Sequence, residues 1–275
     1  MMAIIKIMRP VNFLITFASV IVAALICIQG SFETLNILSA ALSASFVTSA
    51  GNIINDYFDI EIDRINRPNR VLPSGLLTKR TALTIYLSLL FVSIVLAALV
   101  SISSVFIVAV SNCAIFLYSY KLKRIPLAGN FIVSFFTGLV FIYGGLAVNN
   151  WIYGIIPAVF AFLTNFIREI IKDIEDIDGD MANNIFTFPS LKGIDKSIDL
   201  ITILTILLIL LTTIPFLLKI YSIEYFVVVM PVVNSIFVYV VGSLRNNQSK
   251  KNAGRMSRLV KLNMVLGLIA IYLGN

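Results

Sequence analysis

Two short acidic stretches carry the chemistry that can be read in this chain. The first is Asn55-Asp56-Tyr57-Phe58-Asp59-Ile60-Glu61-Ile62-Asp63, and the second is Asp173-Ile174-Glu175-Asp176-Ile177-Asp178-Gly179-Asp180. Asp56, Asp59 and Asp63 recur at i, i+3 and i+7, and so do Asp173, Asp176 and Asp180. On an α-helix that spacing stacks three carboxylates on one face. With Glu61, Glu169, Glu175 and Asp178 included, the two regions hold 10 of the 14 acidic residues. Like charges so placed repel, and negative charge at the C-terminal end of a helix opposes its macrodipole. Bound divalent cations reverse the sign of that penalty, and oxygen-only ligands near phosphate are what Mg²⁺ prefers. The alternative is a pair of solvated acidic helix ends balanced by nearby Lys and Arg.

Cations and small residues surround both stretches. Arg67-Pro68-Asn69-Arg70 and Pro73-Ser74-Gly75 follow the first, Tyr118-Ser119-Tyr120-Lys121-Leu122-Lys123-Arg124 closes an apolar run, and Arg168 and Lys172 precede the second. Each alone reads as an anchor at a membrane surface. Together with two metal-type clusters they describe a diphosphate site, with metals bridging carboxylate to phosphate and Lys or Arg neutralising the remaining charge. The chain has no histidine, which removes imidazole bases, His-ligated zinc and haem, and the Ser/His and Cys/His nucleophile pairs. Cys27 and Cys113 lie far apart inside apolar runs and read as packing residues. A calcium loop on Asp176-Ile177-Asp178-Gly179 fails, because its first and twelfth positions would be Ile174 and Ile185. A CDP-alcohol phosphotransferase would gather its aspartates in one contiguous motif, whereas Asp56 and Asp173 are 117 positions apart.

The elements that must hold these residues are membrane helices. Of 275 residues 59% are hydrophobic and only 13% charged, about half the charged share of a soluble domain. Runs near the length that spans a bilayer fall at about 11–29, 36–58, 81–100, 102–120, 127–147, 151–172, 198–218, 223–243 and 257–273. The third and fourth merge around Ser101, Ser103 and Ser104. Lys6 and Arg9 precede the first run, but no small-residue cleavage site follows, so the run reads as a resident helix. Nine spans from a cytoplasmic N-terminus leave 20 of the 21 basic residues on the cytoplasmic side, all but Lys219, the bias that the positive-inside rule describes. The net charge of +7 is thereby explained by topology and anionic headgroups rather than nucleic-acid binding. The expectation is an all-α, polytopic membrane protein: a single domain over 1–275, N-terminus in, C-terminus out. Its acidic clusters continue spans 2 and 6 at the cytoplasmic face, where two long charged connections, about 59–80 and 173–197, form a cap.

The motifs resemble the UbiA superfamily of intramembrane prenyltransferases. Asn55, Asp56, Asp59 and Asp63 match its Asn-Asp-x2-Asp-x3-Asp signature, and the Arg-Pro-x-Arg and Pro-Ser-Gly elements follow from Arg67 to Gly75. Asp176 and Asp180, with Asp173 upstream, match the second signature; Thr187 fits a small polar position beyond it, and Arg9-Pro10-Val11-Asn12 resembles the opening segment. One element departs: Tyr118 has Leu122 four residues on and Lys123 five, so Lys121, Lys123 and Arg124 all remain candidates for the family's Tyr-x3-Lys lysine.

The resemblance implies transfer of a prenyl chain from a polyprenyl diphosphate to a lipid-like acceptor through an allylic carbocation. It implies two Mg²⁺ ions, held by Asn55, Asp56, Asp59 and Asp63 and by Asp173, Asp176 and Asp180, with Asp59, Asp63, Asp176 and Asp180 catalytic. Arg67, Arg70, Tyr118, Lys121, Lys123, Arg124 and Lys172 would bind phosphate. Within the family, the compact length, terse external loops and Lys172-Asp173-x2-Asp176 look most like archaeal members that add a second geranylgeranyl chain to geranylgeranylglyceryl phosphate. An aromatic acceptor of quinone synthesis is the alternative. A cation transporter is the remote one, and it would place acids near mid-span, whereas here they gather at one face. No obligate protein partner is evident, and the enzyme is expected in the cell membrane with its site facing the cytoplasm.

Overall fold

The structure is a computed structural model, and it describes residues 2–122, 125–182 and 185–275. In chain order its helices are α1 (Met2–Met8), α2 (Pro10–Cys27), α3 (Thr34–Phe58), α4 (Ile60–Asn66), α5 (Lys79–Ala98), α6 (Ile102–Tyr120) and α7 (Ala128–Leu146). There follow α8 (Ile155–Ala182), α9 (Phe188–Lys192), α10 (Ile194–Leu217), α11 (Ile223–Val228), α12 (Ser235–Asn246) and α13 (Lys250–Gly274). Among the described residues nine helical stretches are long and apolar enough to cross a membrane, at the nine places the sequence indicates. The sixth joins the turn Trp151–Gly154 to α8, and the eighth joins α11 to α12 through a π-helical turn. That turn, Val229–Asn234, contains Pro231, which has no N–H to give to a regular helix. Asn263 of α13 donates to the Val233 carbonyl at 2.9 Å and satisfies part of the displaced backbone.

Local capping separates the runs that hydropathy merges. Ser101 Oγ accepts from the Ser104 amide at 3.1 Å and starts α6 three residues after α5 ends. Thr78 and Ser249 cap α5 and α13 in the same way.

Two expectations about the acidic stretches are corrected. The first triad does not ride one uninterrupted helix: α3 stops at Phe58, Asp59 adopts φ −94° and ψ 6°, and the short α4 resumes at Ile60. The second region is no loop at its start, because α8 runs on through Asp173, Asp176 and Asp180 to Ala182, and α9 occupies part of the remaining connection. The connection expected over 59–80 is likewise part helix and part turns, with Gly75 at φ +76° closing the turn after Pro73 and Ser74.

The chain forms two compact units. The first comprises Met1–Lys123 and Leu139–Ile155. Its centre is α3, which packs against α2, α5 and α6 and buries small residues such as Ser39, Ala40, Ser43, Ser49 and Ala50. Lipid offers no hydrophobic drive between helices, so small side chains that let backbones approach, and hydrogen bonds across the contact, supply the adhesion. Ser43 Oγ donates to the Ser93 carbonyl at 2.7 Å, and Asn112 donates to Ser93 Oγ at 3.3 Å. Gly144 of α7 lies so close to α2 that a Cβ there would stand 2.7 Å from the Val20 carbonyl oxygen.

The second unit comprises Arg124–Gly138 and Ile156–Asn275. Gly138 of α7 approaches the Ala158 carbonyl of α8 in the same manner. Tyr225 is fully buried between α11 and its neighbours, and its hydroxyl donates to the Thr212 carbonyl at 2.8 Å. Outward-facing Leu, Ile, Val and Phe are abundant on both units, for example Phe91, Phe106, Ile203 and Leu210, as a protein solvated by lipid requires.

Candidate active site

In the first unit the end of α3, all of α4 and the turn after it converge on two buried carboxylates. Asp56 is 4% exposed and Asp63 5%. An isolated buried charge is costly, and a paired one is held. Arg70 bridges them, donating from one nitrogen to Asp63 at 2.5 Å and to Asp56 at 3.1 Å, and Arg9 donates to Asp56 at 2.5 Å. Arg9 does this from a left-handed backbone, φ 53°, at the joint between α1 and α2, a conformation that a non-glycine residue adopts at a cost of about 1 kcal/mol. Asp59, at the break between α3 and α4, is half-buried, and so is Asn55.

A cavity of about 480 Å³ opens on Asp56, lined also by Lys6, Arg9, Arg67, Pro68, Asn69, Arg70 and Val71. Four cations around one carboxylate make a receptor for an anion larger than the carboxylate itself. The end of α6 closes in on the same region: Phe58 of α3 stacks edge-on against Phe116 and tilts over Tyr120, with ring centroids 5.7 and 5.5 Å away. This places half-buried Tyr118 and exposed Lys121 at the same end of the unit as Asp56. Lys79, at the start of α5, lies 5.7 Å from the Tyr57 ring centre. Lys123 and Arg124, two further candidates, lie outside the described residues.

In the second unit the carboxylates line the last three turns of α8. Asp173 receives a hydrogen bond from Asn130 of α7 at 2.8 Å, Asp176 is exposed, and Asp180 is half-buried with its carbonyl accepting from Ile185. The Lys172 ammonium pairs with Glu169 at 3.0 Å, and Arg168 pairs with the same carboxylate at 2.7 Å. Asp178 is paired with Lys250 of α13. Thr187, at the start of α9, is buried, and its hydroxyl finds no hydrogen-bond partner among the described residues.

Among the described residues no three acidic side chains converge as a ready-made metal cage. Mg²⁺ does not demand one, since it takes one or two carboxylates and completes its shell with water and substrate phosphate. The donor set, hard oxygen from carboxylates and one amide beside a cationic cavity, fits that ion. Arginines also serve as counter-charges here, which was the other reading of the repeated spacing. Sequence reasoning passed over three site residues. Lys6 and Arg9 read as topology anchors, although Arg9 begins the Arg9-Pro10-Val11-Asn12 segment that resembles the family's opening. Asn130 is an amide within an apolar run, a pattern that marks a buried partner without saying whose.

An all-helical membrane protein with paired acidic helix ends and a cationic cavity is a narrow class. The pattern of the UbiA prenyltransferase family matches residues 16–265, and the chain belongs to that family; it is a prenyltransferase and an integral membrane protein. It is 37% identical to the digeranylgeranylglyceryl phosphate synthase of Methanosphaera stadtmanae over 98% of both chains. It is 39% identical to the protein of the same name from Methanobrevibacter smithii, over 98% of this chain and 96% of that one. A solved structure of digeranylgeranylglyceryl phosphate synthase superposes with a TM-score of 0.82 at 33% identity, covering 99% of this chain and 97% of the other. A UbiA homologue from Archaeoglobus fulgidus bound to GPP and Mg²⁺ shares the fold, with a TM-score of 0.71 at 18% identity over 98% and 99% of the two chains.

Proposed function

We propose that the enzyme transfers a geranylgeranyl group from geranylgeranyl diphosphate to the free hydroxyl of geranylgeranylglyceryl phosphate, forming the diether core of archaeal lipids. The observation that carries this reading is the near full-length similarity to digeranylgeranylglyceryl phosphate synthases, joined to both acidic motifs in this sequence. The domain is a single prenyltransferase unit of function over 1–275, set in the cell membrane with its site toward the cytoplasm.

In the reaction the allylic C1–O bond breaks and its electron pair leaves with diphosphate. The acceptor oxygen then bonds to C1, and its proton is released. The residues have separable tasks. Lys6, Arg9, Arg67 and Arg70 line a cavity suited to phosphate oxygens, and the family resemblance assigns phosphate contacts to Tyr118, Lys121, Lys123, Arg124 and Lys172 as well. Asn55, Asp56, Asp59 and Asp63 in one stretch, and Asp173, Asp176 and Asp180 in the other, are the oxygens that would hold two Mg²⁺ ions. Bound there, Mg²⁺ supplies charge neutralisation for the departing diphosphate. Asn130 positions Asp173 by its hydrogen bond, and Arg70 fixes Asp56 relative to Asp63. The carbocation would have to be kept from water until the acceptor captures it.

The deciding experiment is an assay of purified enzyme with Mg²⁺ and geranylgeranyl diphosphate, offering geranylgeranylglyceryl phosphate and 4-hydroxybenzoate in parallel. Diether with release of diphosphate is expected. Prenylated benzoate alone would move the enzyme to quinone synthesis and overturn the acceptor.

A further inference from the structure

The N-terminal half of α13 carries cations that the prenyl-transfer site does not use. Lys251, Arg255 and Arg258 are exposed at i, i+4 and i+7, and exposed Lys261 flanks the same face. The ion pairs among the described residues engage Lys250 and Arg245 but none of these four. Arg258 donates to the Gly254 carbonyl one turn back, at 3.1 Å. Glu175 of α8 approaches this part of α13, with its carboxylate against Gly254.

The same face continues beyond the cations as a purely apolar strip. Leu262, Val265, Ile269 and Tyr272 follow at i+11, i+14, i+18 and i+21 from Lys251, and they are 66%, 54%, 47% and 55% exposed. A helix rises 1.5 Å per residue, so the cations from Lys251 to Lys261 extend over about 15 Å. An exposed charge next to an apolar, lipid-facing strip needs either a path to water or a bound counter-charge.

We propose that this face of α13 is a binding site for an anionic phospholipid of the surrounding bilayer. The headgroup phosphate is held by Arg255, Arg258, Lys251 and Lys261, and one hydrocarbon chain lies along Leu262, Val265 and Ile269. Charge order along one helix face, cationic then apolar, is complementary to a lipid whose phosphate is linked through glycerol to its chains. The site is independent of the prenyl-transfer reading, since it uses none of the residues assigned to that reaction.

The test is titration of detergent-solubilised full-length enzyme with dioleoylphosphatidylglycerol, followed by native mass spectrometry, with neutral dioleoylglycerol as the reference lipid. Each basic residue near an anionic surface contributes roughly fivefold in affinity, so R255Q/R258Q/K261Q should bind phosphatidylglycerol on the order of a hundredfold more weakly. R255K/R258K should retain binding, and K192Q/K196Q, which removes exposed cations on α9 and α10, should leave it unchanged. If the triple variant does not fold, single R255Q and R258Q, each at an exposed position, should each weaken binding about fivefold. Equal binding of phosphatidylglycerol by the wild type and the folded variants would overturn the site. So would dioleoylglycerol binding as tightly as phosphatidylglycerol, a loss in K192Q/K196Q matching that in the stripe, or displacement by geranylgeranylglyceryl phosphate alone.

Discussion

At the scale of single residues the site is organised by arginine as much as by aspartate. Arg70 touches Asp56 and Asp63 at once while remaining 20% exposed, so its removal leaves two neighbouring buried carboxylates without their common counter-charge. Breaking a fully buried pair costs about 3–5 kcal/mol, and partial exposure lowers that here to about 2 kcal/mol. Arg70→Ala should therefore lower thermal stability in detergent by that amount, and Arg70→Lys should restore less than half of it, because a point charge lacks the guanidinium fork. Asp59 and Asp176 play a different part: both belong to the repeated motifs, Asp59 half-buried at the helix break and Asp176 exposed on the last turns of α8. Asp59→Ala and Asp176→Ala should each abolish turnover while membrane insertion stays intact, and an active Asp59→Ala enzyme would sink the two-cluster account. The acidic motifs could be read directly because carboxylates are rare in this chain and regularly spaced. The contact of Arg9 could not, because nothing in a linear pattern reveals that the joint between α1 and α2 brings its guanidinium onto Asp56, 47 residues further along the chain.

At the scale of elements, the existence and position of every span followed from the length of the apolar runs, because a bilayer demands closed backbone hydrogen bonding over a fixed thickness. Two features did not follow. The break between α3 and α4 depends on the backbone at Asp59, and the extension of α8 to Ala182 depends on contacts such as Asn130 with Asp173 and Lys250 with Asp178, none of which hydropathy sees. Helix contacts in this fold are close because small residues make them so, and they are therefore sensitive to added volume. At Gly144 a new Cβ would meet Ala23 Cβ at 2.6 Å and the Val20 carbonyl oxygen at 2.7 Å, both on rigid helix. Gly144→Val should destabilise the first unit by about 1–3 kcal/mol. At Gly267 and Gly242 nothing lies within 4 Å of the added carbon, so Gly267→Ala and Gly242→Ala should be neutral or stabilise by up to about 1 kcal/mol. Thermal unfolding of the three variants side by side separates close approach from helix propensity: if Gly144→Val is as stable as Gly267→Ala, the α2–α7 contact is not the tight one described.

At the scale of the whole molecule, the proposed sidedness rests on charge. The nine spans among the described residues have two possible orientations, and in either one the basic residues divide between the two loop sets at 20 to 1. The ion pairs among the described residues do not erase that asymmetry: they engage cations such as Arg9, Arg70, Arg168 and Lys250, and they leave the exposed stripe of Lys251, Arg255 and Lys261 for headgroups. Translocating the basic connections instead would carry Arg67, Arg70, Lys79, Arg80 and the start of α13 across the hydrocarbon, against the bias that governs short loops. The acidic motifs come with that orientation, because Asp56 ends span 2 and Asp176 ends span 6, the latter on the side to which α13 also presents Lys250. An orientation experiment therefore tests topology and site location together. In a background with Cys27 and Cys113 replaced by alanine, single cysteines at Asn69, Ser249, Asn149 and Asn275 should divide cleanly in intact cells treated with a membrane-impermeant maleimide. Asn149→Cys and Asn275→Cys should label from outside, and Asn69→Cys and Ser249→Cys should label only after the membrane is opened. Labelling of Asn69→Cys in sealed cells would reverse the orientation, and it would put diphosphate chemistry on the face from which a cytoplasmic isoprenoid donor could not arrive.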